Sequence, residues 1–199
     1  MITDRFGRPL TSMRISITRR CNLGCIYCHR EGIQKGEGEM TPQEIERVVR
    51  LCARFGVKKV KLTGGEPLLR PDVSEIVSRI AGVDGIKDVS MTTNGVLLAE
   101  HAAALKEAGL DRINVSLDTL RPETFQEITR GGELARVLEG IDKALEAGLR
   151  PVKLNMVVMK GINEQEVKDL LRFASREGLV LQLIELMDEP DITRALVFT

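Results

Sequence analysis

Cys21, Cys25 and Cys28 fall within eight residues of one another, in the spacing Cys-x3-Cys-x2-Cys. Such a trio offers three thiolates to one centre and leaves a fourth position open. A four-iron, four-sulfur cluster held this way keeps one iron free to take a small-molecule ligand, and chemistry can start there. Zinc is the other metal that a cysteine trio suits, but it normally wants four ligands. His29, directly after Cys28, is poorly placed to close a tetrahedron with it, which leaves a more distant fourth ligand or unrelated thiols as alternatives to the cluster. Cys52 shares a helical face with Ile45, Val48 and Val49 and reads as a buried core residue.

A second candidate site is Thr63-Gly64-Gly65-Glu66-Pro67. Paired glycines at a strand end let backbone approach a ligand closely, although a plain turn uses them too. No Gly-Lys-Ser/Thr follows and no G-x-G-x-x-G occurs, so neither common nucleotide-binding loop is present.

The elements that position these residues alternate along the chain. Strand patterns cover residues 14–18, 59–63, 88–93, 112–117, 152–158 and 180–184. Helical patterns cover 42–55 behind a Thr41 cap, about 72–81, 99–108, about 134–147, and 164–176 behind an Asn163 cap. Strict alternation calls for parallel pairing through right-handed crossovers. The strands alternate in polarity, where parallel strands covered on both faces would be apolar throughout. Arg14, Ser16 and Thr18 share one face, as do Lys59, Lys61 and Thr63. Ser90, Thr92 and Asn94 follow the same pattern, as do Asn114, Ser116 and Asp118, and then Lys153 and Asn155. Ile15, Val60, Leu62, Met91, Ile113, Val115 and Leu154 fall on the other. The expected fold is α/β, a (βα)6 partial barrel of parallel strands with a polar lumen; an exposed polar sheet face is the alternative.

The 199 residues suffice for one compact domain, with no linker or low-complexity tract to divide 1–199. Lys plus Arg and Asp plus Glu balance at 29 each, so no overall attraction to nucleic acid or anionic membrane is implied. Aromatics at 3%, with no Trp, argue against a base-stacking surface. No run of about 18 apolar residues occurs and residues 1–8 do not read as a secretory signal, which makes a cytoplasmic location the expectation.

The cysteine trio with Gly64-Gly65-Glu66-Pro67 resembles the radical S-adenosylmethionine (radical SAM) enzymes. The resemblance extends to Asp4-Arg5-Phe6-Gly7-Arg8, Leu62 to Arg70, Thr92-Thr93-Asn94-Gly95, Asn114 to Leu120 and Lys153 to Asn163. Within that superfamily these stretches are similar to the GTP 3',8-cyclases of molybdenum cofactor biosynthesis, the MoaA family. Cys28-His29-Arg30-Glu31-Gly32 is similar to its archaeal branch.

The resemblance implies one [4Fe-4S] cluster on Cys21, Cys25 and Cys28, with S-adenosylmethionine on its open iron. Tyr27, Gly64, Gly65, Glu66 and Ser116 would meet that cofactor, and Met187 is a further contact. Arg14, Lys61, Thr92 and Lys153 would contact GTP. Unpaired lumen cations would be costly without an anion, although pairing with Asp118 or Glu185 is the plainer alternative. The implied reaction uses a 5'-deoxyadenosyl radical to turn GTP into (8S)-3',8-cyclo-7,8-dihydroguanosine 5'-triphosphate, a lyase step towards molybdopterin. The implied partners are GTP, an electron donor such as ferredoxin or flavodoxin, and a second copy in a homodimer; no nucleic acid or membrane partner is expected.

Two departures stand out. Many relatives carry Arg where Gln182 stands, and Lys61 is Arg in many, which keeps the charge but loses the bidentate fork. The family's C-terminal cysteine trio for a second cluster has no counterpart here, since Cys52 is the remaining cysteine. A radical SAM enzyme with another substrate, or a cluster-binding subunit inactive alone, are therefore the alternative functions.

Overall fold

The computed structural model describes residues 3–28 and 38–186. Met187 and His29 lie outside the described residues. Six strands form one sheet in the order β1 to β6: β1 Ser12–Ser16, β2 Lys59–Thr63, β3 Asp88–Thr93, β4 Arg112–Ser116, β5 Val152–Val158 and β6 Val180–Glu185. Every pairing is parallel and joins strands consecutive in the chain. β1 and β6 do not pair with each other, so the arc stays open and the (βα) expectation holds as a partial barrel.

The helices are α1 Pro42–Arg54, α2 Val73–Ala81, α3 Leu98–Glu107, α4 Pro122–Thr129, α5 Leu134–Glu146 and α6 Val167–Glu177. α1 starts as its sequence requires. The Thr41 hydroxyl accepts from Glu44 N–H while the Glu44 carboxylate accepts from Thr41 N–H, and Pro42 needs no acceptor in the first turn. The apolar parity of the strands packs beneath these helices: Val60, Leu62, Val89, Met91, Ile113, Val115, Val152 and Leu154 are all at most 2% exposed.

Four expectations shift. β1 ends at Ser16, before the expected residue 18, because the chain turns there into the cysteine loop; the Ile17 N–H still donates to Thr63 C=O. α4 is an additional helix, eight residues long, started by Pro122 and ended by Arg130 in the left-handed region at φ 58°. Asn163 does not cap α6, because its side chain is buried elsewhere and a short 3-10 turn, Glu164–Glu166, intervenes. Cys52 is half-buried rather than fully inside.

Candidate functional site

All five loops that leave β1 to β5 emerge at the carboxyl end of the parallel sheet, where α/β folds place their chemistry. The cysteine loop leaves β1 and is tied down from three sides. Gly24 N–H donates to Thr129 C=O at 3.0 Å and Ile26 N–H to Ile128 C=O at 2.9 Å, which hooks the loop to the last turn of α4. Asn94, at the end of β3, donates to Asn22 Oδ1 at 2.8 Å and reaches Cys21 Sγ at 4.0 Å. The Tyr27 hydroxyl donates to Asp118 Oδ2 at 2.7 Å, just past β4.

Gly64 and Gly65 serve this loop directly. A Cβ on Gly65 would lie 2.3 Å from Arg20 C=O oxygen, and one on Gly64 2.5 Å from that of Thr18. Their lack of side chains lets the β2 exit lie against the backbone that leads into Cys21. Two bonds hold it there, Gly65 N–H to Thr18 C=O at 2.9 Å and Glu66 N–H to Arg20 C=O at 2.7 Å. Glu66 is fully buried behind them. Its carboxylate accepts from Leu68 N–H at 3.0 Å, the Thr93 hydroxyl at 2.7 Å and Asn94 N–H at 2.7 Å. Burial pushes its pKa up against those donors.

The register sorts the remaining candidates by height along the strands. Arg14, Lys61, Ser90 and Arg112 form one row across β1 to β4. Thr92, Asn114 and Lys153 form the next row, and Ser116 with Asn155 and Gln182 the one above it. Successive rows are two residues, or about 6.5 Å, apart. The proposed substrate residues thus occupy the lower two rows and Ser116 stands nearer the cysteines.

The lower rows are strongly cationic. Burial lowers the Lys61 pKa, and the nearby positive charges of Arg14, Arg112 and Lys153 lower it further, with Asp88 opposing. Asp88 is engaged by Arg112 through its Nε and Nη2. Arg14, Lys61 and Lys153 have no carboxylate partner among the described residues. Asp118 takes Tyr27 and Val157 N–H instead, so it does not neutralise these cations, and neither does the exposed Glu185. Level with Lys153 and one row above it, the buried Oδ1 atoms of Asn114 and Asn155 accept no hydrogen bond. Leaving such atoms unpaired costs about 1–3 kcal/mol each. A polar ligand in the lumen would satisfy both.

The cysteines fit a cluster better than a single ion. All three are free thiols, and they lie close enough for Cys21 and Cys28 to raise the Cys25 pKa. Burial is the largest cause of that rise, which reaches about 11, with Asp118 next. Burial likewise raises Cys21. A cationic iron centre would draw the protons off these thiols. Yet no group of three or more His, Cys, Asp or Glu among the described residues is placed to hold one metal ion. Ligands to separate corners of a cube stand wider apart than ligands sharing one ion, so this spacing is compatible with a cluster.

Residues 15–174 match the model of the radical SAM superfamily. The chain belongs to that family. Radical SAM membership implies S-adenosylmethionine and a [4Fe-4S] cluster, and it accounts for the trio, the paired glycines and the open six-strand arc together. The chain is 53% identical over 186 residues to a probable GTP 3',8-cyclase of Methanothermobacter thermautotrophicus, across 94% of this chain and 61% of that relative. It is 55% identical over 186 residues to a probable GTP 3',8-cyclase of Pyrococcus abyssi, across 94% of this chain and 60% of the relative. The chain thus spans about three fifths of the length of these curated relatives. Among solved structures, Streptococcus suis SuiB bound to S-adenosylmethionine matches with TM-score 0.77 at 20% identity, across 96% of this chain and 44% of that one. The protein anSMEcpe with bound AdoMet matches with TM-score 0.71 at 20% identity, across 90% of this chain and 52% of that one. At such identities these two show the radical SAM fold alone.

Sequence reasoning singled out the trio, Gly64, Gly65 and the cations Arg14, Lys61 and Lys153, but not Arg112, which the register adds to their lower row. It did not find that Asp118 receives the Tyr27 hydroxyl or that Asn94 reaches the cysteine loop. The period-two pattern did put both on the lumen face at strand ends, and that was the available signal.

Proposed function

We propose that this chain is a radical SAM enzyme of the GTP 3',8-cyclase type, a lyase acting in molybdopterin biosynthesis. The observation that carries this reading is the set of lumen cations Arg14, Lys61 and Lys153, without a carboxylate partner among the described residues, lying below a cysteine trio. Residues 1–199 would form a single core domain with one cluster, on Cys21, Cys25 and Cys28. With the cluster and S-adenosylmethionine bound, one-electron cleavage of the sulfonium would supply the 5'-deoxyadenosyl radical that takes hydrogen from the ribose of GTP.

The protein's own part is to bind, orient and exclude water. Arg14, Lys61 and Lys153 would neutralise the triphosphate, and Thr92, in the row of Lys153, would add a hydroxyl contact. Gly64 and Gly65 would present backbone to the amino end of S-adenosylmethionine, with Glu66 holding that turn from behind. Tyr27 and Ser116 would flank the same cofactor. An electron donor such as ferredoxin or flavodoxin would serve the exposed side of the trio, where Cys21 and Cys28 meet solvent. No described helix is long and apolar enough to cross a membrane, which is compatible with work in the cytoplasm.

A second reading keeps the radical chemistry and changes the substrate. It is favoured by Gln182, in the lumen row of Ser116 and Asn155, where the family resemblance leads to an expectation of Arg. Anaerobic reconstitution with iron and sulfide, followed by dithionite and S-adenosylmethionine, tests both. Release of 5'-deoxyadenosine stimulated by GTP, with deuterium transferred from labelled ribose, is expected. Cofactor cleavage indifferent to GTP would favour the other-substrate reading. A formed cluster without cleavage would refute independent turnover and favour a cluster-binding subunit.

A further inference from the structure

Between the second and third cysteines, the loop has one side-chain tie to the barrel strands, the bond from the Tyr27 hydroxyl to Asp118. The residue that receives it is unusually well fixed. Asp118 is 3% exposed, and its other oxygen accepts from Val157 N–H, near the end of β5, at 2.7 Å. Its backbone carbonyl accepts from Asn163 Nδ2 at 2.9 Å. Asn163 is itself fully buried; it donates to Val157 C=O and accepts from Met159 N–H. The carboxylate is therefore locked to two strands and the loop after β5, while its free lone pairs face a tyrosine inside the cysteine loop. Nothing in the cation rows uses it.

We propose that Asp118 is a positioning residue for the cysteine loop, acting through the Tyr27 hydroxyl to hold segment 25–28 against the ends of β4 and β5. The proposal rests on the reading of the trio as a cluster site. The geometry around it is what such a task needs. Two backbone bonds to α4 fix Gly24 and Ile26, and Asn94 at the end of β3 holds Asn22, but none of these reaches Tyr27 or Cys28. The Tyr27–Asp118 bond ties that end of the loop to the ends of the strands. A charge-assisted hydrogen bond in a buried setting is among the stronger side-chain ties.

Three variants test this: Tyr27→Phe, which keeps the ring, Asp118→Asn, which keeps an oxygen for Val157 N–H, and the double variant. Hydrogen exchange on the iron-free chain is expected to quicken about tenfold within residues 21–28 in each single variant, with β4 and β5 unchanged. Because the two side chains act as one unit, the double variant should show about the same tenfold change rather than about a hundredfold. At equal iron content, the electron paramagnetic resonance spectrum of the reduced cluster with S-adenosylmethionine should differ from wild type in each single variant. Wild-type exchange in Tyr27→Phe, or multiplied effects in the double variant, overturns the proposal even if Asp118→Asn folds poorly. Failure of the wild-type chain to take up four irons refutes the cofactor reading instead, and the exchange measurement, which needs no iron, still judges the tie.

Discussion

Replacing Gly65 by alanine adds one methyl group, and the structure says where it must go. The new Cβ would stand 2.3 Å from the Arg20 carbonyl oxygen, 2.7 Å from its carbon and 2.9 Å from the Arg19 oxygen. All three are backbone atoms, so no rotamer change relieves the overlap. Restoring ordinary contact requires the strand exits to part by about 1 Å, since non-bonded heavy atoms settle near 3.5 Å. That movement breaks or lengthens Gly65 N–H to Thr18 C=O and Glu66 N–H to Arg20 C=O, now 2.9 and 2.7 Å. Two backbone hydrogen bonds at about 1 kcal/mol each, plus overpacking strain of about 1–3 kcal/mol, give a loss of roughly 3–5 kcal/mol. The displaced residue, Arg20, precedes Cys21, so iron uptake should fall as well. Gly82→Ala is the control, because its Cβ would meet Ser78 C=O at 3.4 Å with φ at −77°, an ordinary helix-end environment. Urea denaturation and iron content after reconstitution read both effects. Gly65→Ala within about 0.5 kcal/mol of wild type, with full iron loading, would refute the argument that close backbone approach dictates glycine here.

Glu66→Ala strands Leu68 N–H, Asn94 N–H and the Thr93 hydroxyl, and urea denaturation should show a loss of about 3 kcal/mol or more. Lys61→Met removes a charge from a crowd of like charges; the iron-free chain should gain stability at low salt while losing about tenfold in GTP affinity near 0.1 M salt, measured by calorimetry, with the affinity gap narrowing as salt rises. Asp118 is raised by burial from 3.8 to about 6, so the folded chain holds its proton more tightly than the unfolded one. Its contribution is fully present below about pH 3.8 and is lost as pH rises through about 6, a swing of about 3 kcal/mol that Asp118→Asn should abolish in pH-dependent denaturation of the iron-free protein.

Period-two polarity made the sheet legible. Residues 59–63 alternate throughout, 88–92 and 152–156 alternate before the pattern breaks, and the expected spans 59–63, 88–93 and 152–158 match β2, β3 and β5 end to end. The same pattern overran β1, because Thr18 continues the alternation although its hydroxyl bonds to Glu39 and its carbonyl receives Gly65 N–H. α4 escaped because eight residues offer too few turns for a period to stand out, and Pro122 was its one firm signal. Asn163 precedes an apparent helix and looks like a cap, but Met159 N–H occupies the side-chain oxygen a cap would use, while the carbonyls of Asp118 and Val157 hold its amide nitrogen. The Tyr27–Asp118 bond joins residues 91 apart in sequence. No local pattern announces such a pair; only the fold brings it together.

The vertical sorting of the lumen is what links the chemistry to the substrate. On β4, Arg112 lies in the cation row and Ser116 four residues above it; Asp118 follows just past the strand, beside the cysteine loop. At about 3.3 Å per residue the cation row and Ser116 are about 13 Å apart along the strand. A lone phosphate attracted to Lys61 would leave the upper lumen unfilled and the Asn114 and Asn155 oxygens unpaired. Under the proposed function a nucleoside triphosphate would reach both ends, its phosphates at the cations and its ribose towards the cysteines, where a radical would be made. The charge crowding that lowers the Lys61 pKa would then be the cost of holding the anionic end away from the cysteines. In the proposed reaction that separation would matter because the hydrogen to be removed belongs to the sugar. Strand parity and register, rather than any single residue, set the distance between the two ends.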